Sequence, residues 1–254
     1  MNELKVSPKG RVAFVSGANR GIGRAITIEL LKEGAKKVYA GVRNLKSLDD
    51  LKPEYGDRLI PIQLDLKNDK LIFRAGRLVK DVEILINNAG VYESGGFFSD
   101  ETLDSLEDNF GVNVMGLVKL SISLIDHLKN KPCAAIVNVA SVLGLASMPF
   151  SGTYSASKAA VHSITQGMRG ELTNSNVLVM GVYPGPIETD MTRDLDMDKD
   201  SPQNVANDIV NALKEGSEYV FPDVMSKQVG ELFFTEPLSI EKQFGSFVSE
   251  EQEA

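Results

Sequence analysis

The chain has 254 residues, 43% hydrophobic and 24% charged, with a formal net charge of −8 and a pI near 5.0. That is the composition of a globular protein able to bury one sizeable core, and it argues for a single domain over 1–254. The acidic balance gives no broad attraction to phosphate backbones or anionic lipid, so nucleic acid and membrane surfaces are poor partners.

The opening MNELKVSPKG lacks an apolar signal core, and no uninterrupted apolar stretch approaches a membrane span, so the expected location is cytoplasmic. Then RVAFVSG reads as a strand running into SGANRGIG and the helical pattern GIGRAITIELLKEG. In this context Gly17, Gly21 and Gly23 let the backbone turn tightly, and the N–H groups of the Asn19–Arg20–Ile22 stretch face an anionic pyrophosphate. KKVYAGV is a second strand, and at its end stands Arg43 rather than an acid. RLIPIQL is a third, closed by Asp65 and Leu66, where the aspartate suits either a cofactor contact or the cap of the next helix. The segment between Asp65 and Val82 is short for a crossover helix.

VEILINNAG, AAIVNVAS, NVLVMGVYPG and EYVFP complete about seven buried strands separated by helices, which predicts an α/β fold: a doubly wound parallel sheet covered on both faces. Cys133, the lone cysteine, reads as a core thiol at a buried strand start in a reducing compartment. His127 suits a helix C-terminus and His162 lies two turns past Tyr154; neither belongs to a zinc-like spacing, so no metal is expected. Residues 190–202, polar and acidic, read as a mobile connection over the substrate. Ser201 caps a helix with Pro202 at its first position, 224–248 are one or two closing helices, and the tail EEQEA frays.

Two residues one helical turn apart, Tyr154 and Lys158 in SGTYSASKAA, project from one face. A phenol of ordinary pKa about 10 is a reluctant acid, and a cation ~5 Å away is worth on the order of 3 kcal/mol toward phenolate at intermediate dielectric. The pair is thus expected to serve as a tuned general acid/base. Ser141 closes a buried strand at its carboxyl end, where its hydroxyl can donate to a developing alkoxide, although serine there is also ordinary turn chemistry. Asn113, in a helical pattern that asparagine suits poorly, is placed to hold a water linking Lys158 to solvent.

Gly-x-x-x-Gly-x-Gly, NNAG at 87–90, Asn113 in VNVMG, Ser141 in NVAS, Tyr154-x-x-x-Lys158 and YPGPIETDM at 183–191 follow one another over roughly 11–191. Together they resemble the single-domain branch of the short-chain dehydrogenase/reductase family, with Ser16 where that family usually has threonine. The resemblance implies hydride transfer between a nicotinamide and a carbonyl or alcohol carbon, with Asn113, Ser141, Tyr154 and Lys158 catalytic. It implies further that Asp65 and Leu66 contact adenine, Asn88 lies by the riboses, Lys158 binds the nicotinamide ribose, and Ile187 with Thr189 holds the carboxamide. It also implies a homotetramer or homodimer pairing through the Asn113 and Tyr154 helices.

A lone arginine reads as a solvated charge, but Arg20 and Arg43 together can converge on a 2′-phosphate, which favours NADP(H) over NAD(H). The expected substrate is a small carbonyl or alcohol, in an apolar pocket of Val142, Leu143, Leu145, Met148, Tyr183, Met191 and the 190–202 loop. Two rivals remain at this point: a sensor or scaffold governed by NADP(H) occupancy, and a methyltransferase using the glycine turn for S-adenosylmethionine, in which Tyr154 and Lys158 have no role.

Overall fold

The computed structural model describes residues 4–247. Its strands are β1 (Val12–Ser16), β2 (Lys37–Val42), β3 (Leu59–Gln63), β4 (Ile84–Asn87), β5 (Ala134–Val139), β6 (Val177–Val182) and β7 (Tyr219–Val220). They form one all-parallel sheet in the order 3-2-1-4-5-6-7. Successive residues point to opposite faces: along β1, Ala13 and Val15 join one apolar cluster while Val12 and Phe14 join the other.

Helices α1 (Gly21–Lys32) and α7 (Pro202–Glu215) bury Ile26, Leu30, Val205 and Ile209 on the first face. A short α2 (Lys52–Tyr55) follows β2. On the second face lie α3 (Asp69–Leu78) and α5 (Leu117–Lys129), burying Ile72, Leu120 and Leu124. Between β4 and α5 stands α4 (Thr102–Asn109), joined to α5 by a wider π-helical turn, Phe110–Gly116. Then α6 (Gly152–Glu171) follows β5, and α8 (Val224–Thr235) and α9 (Pro237–Gly245) close the chain. Residue 248 and the EEQEA tail lie outside the described residues.

Local signals explain most boundaries. Ser201 Oγ accepts from Asn204 N at 3.1 Å and Pro202 opens α7, as expected. The cap of α3 is Asn68, which accepts from Leu71 N; Asp65 instead accepts from Lys67 N two residues on, so its capping alternative is set aside. The α3 crossover, though short, keeps ten helical residues. Cys133 is half-buried and lies one residue before β5 rather than inside the core. The helical run Thr102–Lys129 is long and apolar enough by length and composition to cross a membrane, although it is not uninterruptedly apolar; half of its most apolar window is buried inside the fold.

Where the strand order reverses, β1 and β4 are fastened by one hydroxyl. Ser16 Oγ accepts from Asn88 N and Ala89 N, both at 3.0 Å, and lies 3.3 Å from Ile86 O as donor. Ser16 is 1% exposed, so removing the oxygen strands two amides without water. Ser16→Ala is therefore expected to cost on the order of 2–4 kcal/mol, a fall in Tm of about 5–10 °C in thermal denaturation, whereas Ser16→Thr, which keeps the hydroxyl, loses less than half as much.

Candidate active site

A cleft of about 680 Å³ opens along the carboxyl ends of the strands, across the β1/β4 switch point where open α/β sheets place ligands. Gly17, Asn19, Arg20, Gly21 and Ile22 form one wall. Gly17 has a φ of +69°, and an added Cβ there would lie 2.9 Å from Ala89 Cα. Gly23 does not reach the wall; it lies under the turn, where a Cβ would stand 2.2 Å from Gly17 O and 2.3 Å from Asn88 Nδ2. The first turn of α1 carries no acidic side chain, so its free N–H groups meet no competing anion of their own helix.

Arg43, Asp65, Leu66 and Asn88 line the same cleft, as do Ile187 and Thr189. Arg43 is exposed and carries no ion pair among the described residues. Arg20 differs: its guanidinium lies 3.2 Å from Asp190, itself also bound by Arg193. The two arginines expected to act as a pair are thus unequal, one free and one engaged.

At the far end stand Ser141, Tyr154 and Lys158. Ser141 sits in extended backbone just past β5, its Oγ accepting from Leu143 N at 3.1 Å and 3.4 Å from Pro184 O. Lys158 lies one turn beyond Tyr154 on α6, with Nζ 5.7 Å from the phenol ring centre and donating to Val139 O at 2.9 Å. Asn113 stays behind the wall, in the π-helical turn. Its Nδ2 donates to Val91 O and to Ser157 Oγ, each at 3.0 Å, and its Oδ1 accepts from Val91 N at 2.8 Å. Both amide N–H groups are spent on protein, so a relay water is left only an Oδ1 lone pair.

The electrostatics reverse the expected sign. Burial, then the neighbouring Tyr92 phenol, push Tyr154 up from the ordinary tyrosine value, and the Ser141 hydroxyl acts in the opposite sense. Burial pushes Lys158 down to about 8. Proximity on one helix face is as the spacing predicted, but desolvation leads the shift of each group.

The apolar wall is also partly redrawn. Val142, Leu143, Met148 and Met191 line the cleft, whereas Leu145 and Tyr183 do not. Tyr183 is fully buried, and its hydroxyl meets His162 Nδ1 at 2.8 Å. Sequence reasoning missed Tyr92, whose ring stands edge-on to Tyr154 at 4.9 Å and whose hydroxyl lies 2.6 Å from Ser151 Oγ. It also missed Asn109, which bonds both Glu93 N and Glu93 O.

A family model described as short chain dehydrogenase matches residues 11–200. The chain belongs to the short-chain dehydrogenase/reductase family. An uncharacterized oxidoreductase of Staphylococcus aureus strain USA300 is 33% identical over 213 residues, 81% of this chain and 91% of that one. A short chain dehydrogenase from Burkholderia cenocepacia J2315, in complex with NADP, superposes with a TM-score of 0.88 at 32% identity, over 94% of this chain and 99% of that one. A short-chain dehydrogenase/reductase from Burkholderia phymatum in complex with NAD has the same fold, with a TM-score of 0.79 at 24% identity over 98% and 99%.

As a short-chain dehydrogenase/reductase, the protein is an oxidoreductase dependent on a nicotinamide cofactor. The residues present fit that group. Glycines allow close backbone approach at one end, and at the other a buried ammonium spends one of its three donors on protein, leaving two for hydroxyls of a ligand.

The same ammonium weakens the ligand-free fold. With its folded pKa near 8 against an ordinary 10.5, the folded chain binds this proton less tightly than the unfolded chain. The penalty is full below pH 8 and fades as pH rises toward 10.5. Lys158→Met is expected to stabilise the ligand-free protein by on the order of 1–3 kcal/mol at pH 7, seen as a higher Tm, with the gap from wild type closing between pH 8 and 10.5.

Proposed function

We propose that the protein is an NADPH-preferring carbonyl reductase and alcohol dehydrogenase, with Tyr154 as its general acid/base. The observation that carries this reading is the meeting of Tyr154, Ser141 and a buried Lys158 on one wall of the cleft. A binding site for occupancy sensing, or for S-adenosylmethionine, has no use for a desolvated ammonium beside a desolvated phenol.

Nicotinamide, when bound, supplies the hydride to the carbonyl carbon or takes it from the alcohol. The chain does the rest. Ser141 donates to the substrate oxygen and holds it beside the phenol. Tyr154 gives its proton to that oxygen as reduction proceeds and recovers one from the alcohol in reverse. Burial keeps the phenol protonated near neutral pH, the state reduction requires. Lys158, held near 8, orients ribose hydroxyls with its two remaining donors, and its charge favours phenolate once the proton has left. Asn113 is a positioning residue, fixing Val91 against α6 through Ser157.

Support for NADPH rests first on Arg43, free beside the end of β2, and second on Arg20, whose contact with Asp190 uses Nη1 and leaves further donors for a 2′-phosphate. Exposed Leu103, Met115 and Ile122 along the Asn113 helical run support pairing of copies through that face, as homodimer or homotetramer.

Two measurements test the reading. Tyr154→Phe is expected to lower kcat/KM for an accepted ketone by on the order of 10²–10⁴-fold while leaving NADPH affinity within about threefold, followed by nicotinamide absorbance and fluorescence. Arg43→Ala is expected to raise KM for NADPH by about 10–100-fold, the worth of one charge-assisted hydrogen bond, and to leave KM for NADH nearly unchanged; equal losses on both cofactors would show that the guanidinium does not read the phosphate.

A further inference from the structure

The walls of the cleft divide by charge. Toward the glycine turn they carry Arg43 and Asp65, the Lys67–Asp108 pair at 2.6 Å, and the Arg20–Asp190 pair. Beyond Ser141 and Tyr154 the wall passes to Val142, Met148, Phe150 and Met225, members of one apolar cluster, with no ionisable side chain among them.

Residues 188–199 add Thr189, Asp190, Met191, Thr192, Leu195 and Met197 to the lining of the same cleft. The loop is pinned at its base by a parallel bridge between Ile187 and Asp200, with Glu188 N donating to Asp200 O at 2.8 Å and Asp200 N to Pro186 O at 3.1 Å. Within it the run Asp194-Leu195-Asp196-Met197-Asp198 alternates: Leu195 and Met197 line the cleft, and the three aspartates do not. Met191, Leu195 and Met197 are 44%, 37% and 42% exposed, and Phe247, which lines the same cleft, is 44% exposed. Four large apolar side chains of one cleft are therefore left partly in water, which is costly unless something apolar covers them.

Resting on the reductase reading above, we infer that the carbonyl substrate carries an uncharged hydrocarbon chain that lies between the 188–199 loop and the Met225–Phe247 rim. Thioethers at 191, 197 and 225 adapt to chains of different length. The aspartates of the loop that do not line the cleft repel anions approaching it, and among the described residues the apolar cluster of Val142, Met148, Phe150 and Met225 holds no cation to receive a carboxylate or phosphate.

The test has two arms. In the first, straight-chain methyl ketones of four to ten carbons, and the same chains ending in a carboxylate, are reduced with NADPH. Expected is a gain in kcat/KM of about threefold to fourfold per methylene, the fold-change of ~0.8 kcal/mol per buried CH₂, with at least ~30-fold loss for each carboxylate, about what leaving the chain's last two or three methylenes in water costs. In Leu195→Asp and Met197→Asp the gain per methylene falls below about twofold, less than half of the transfer value. In the second arm, unreactive straight-chain amides are added with NADP⁺ and the thermal shift is read; it should grow with chain length in the wild type and much less in the variants. Turnover that is flat with length, or better for the carboxylates, overturns the inference and leaves the reductase reading standing. Length-dependent amide binding with no carbonyl compound reduced overturns the reductase reading, and the substrate assignment with it.

Discussion

The turn after β5 lies directly on α6, and that close approach sets the spacing of every reacting side chain. Gly144 meets the backbone of Lys158: a Cβ at 144 would stand 2.6 Å from Lys158 O and 2.7 Å from its carbonyl carbon. With no side chain between them, the strand end carrying Ser141 and the helix carrying Tyr154 and Lys158 are held at backbone contact, and the Lys158 ammonium reaches Val139 O. Burial of that ammonium disfavours its charged form. The position that lets Lys158 face the cleft beside Tyr154 is thus also one that costs the ligand-free fold.

A second constraint holds the opposite wall. The segment after β4 has no ladder of its own, yet its backbone polar groups are paired one after another by one helix. Thr102 donates to Gly96 O, Ser105 to Ser94 O, Asn109 pairs with both polar groups of Glu93, and Asn113 with both of Val91. Spacings of three, four and four keep these residues on one helical face, so a rigid helix reads an irregular loop as a strand partner would. The loop then presents Tyr92 edge-on to Tyr154, a fixed phenol whose like charge on ionisation adds to burial in pushing Tyr154 up.

The alternation of strands and helices, the glycine turn and the Tyr154–Lys158 face were legible in the sequence because each depends on local periodicity or on a short backbone turn. The direction of the Tyr154 shift was not, since i,i+4 spacing fixes a distance but says nothing of the dielectric, and burial decided the outcome. Tyr183, placed in the pocket from its position after β6, turns instead into an aromatic cluster with His162, Tyr219 and Phe221. The inequality of Arg20 and Arg43 depends on Asp190, distant in sequence from the glycine turn, and no local pattern shows that pairing. The Thr102–Ser105–Asn109–Asn113 row is different: its helical spacing was in plain view, and what concealed it was the absence of any visible partner, because a loop backbone has no sequence signature.

The cations of this acidic chain are unequally paired along the cleft. Asp108 neutralises Lys67, and Asp190 partly neutralises Arg20, so that of the cations along the cofactor end Arg43 alone keeps an uncompensated charge among the described residues. Both ion pairs are about half exposed and individually weak, which makes them exchangeable rather than fixed. Asp190 belongs to the 188–199 loop, so its contact with Arg20 Nη1 ties that loop to the glycine turn. A group that competes for Arg20 at the glycine turn would therefore change what restrains this loop.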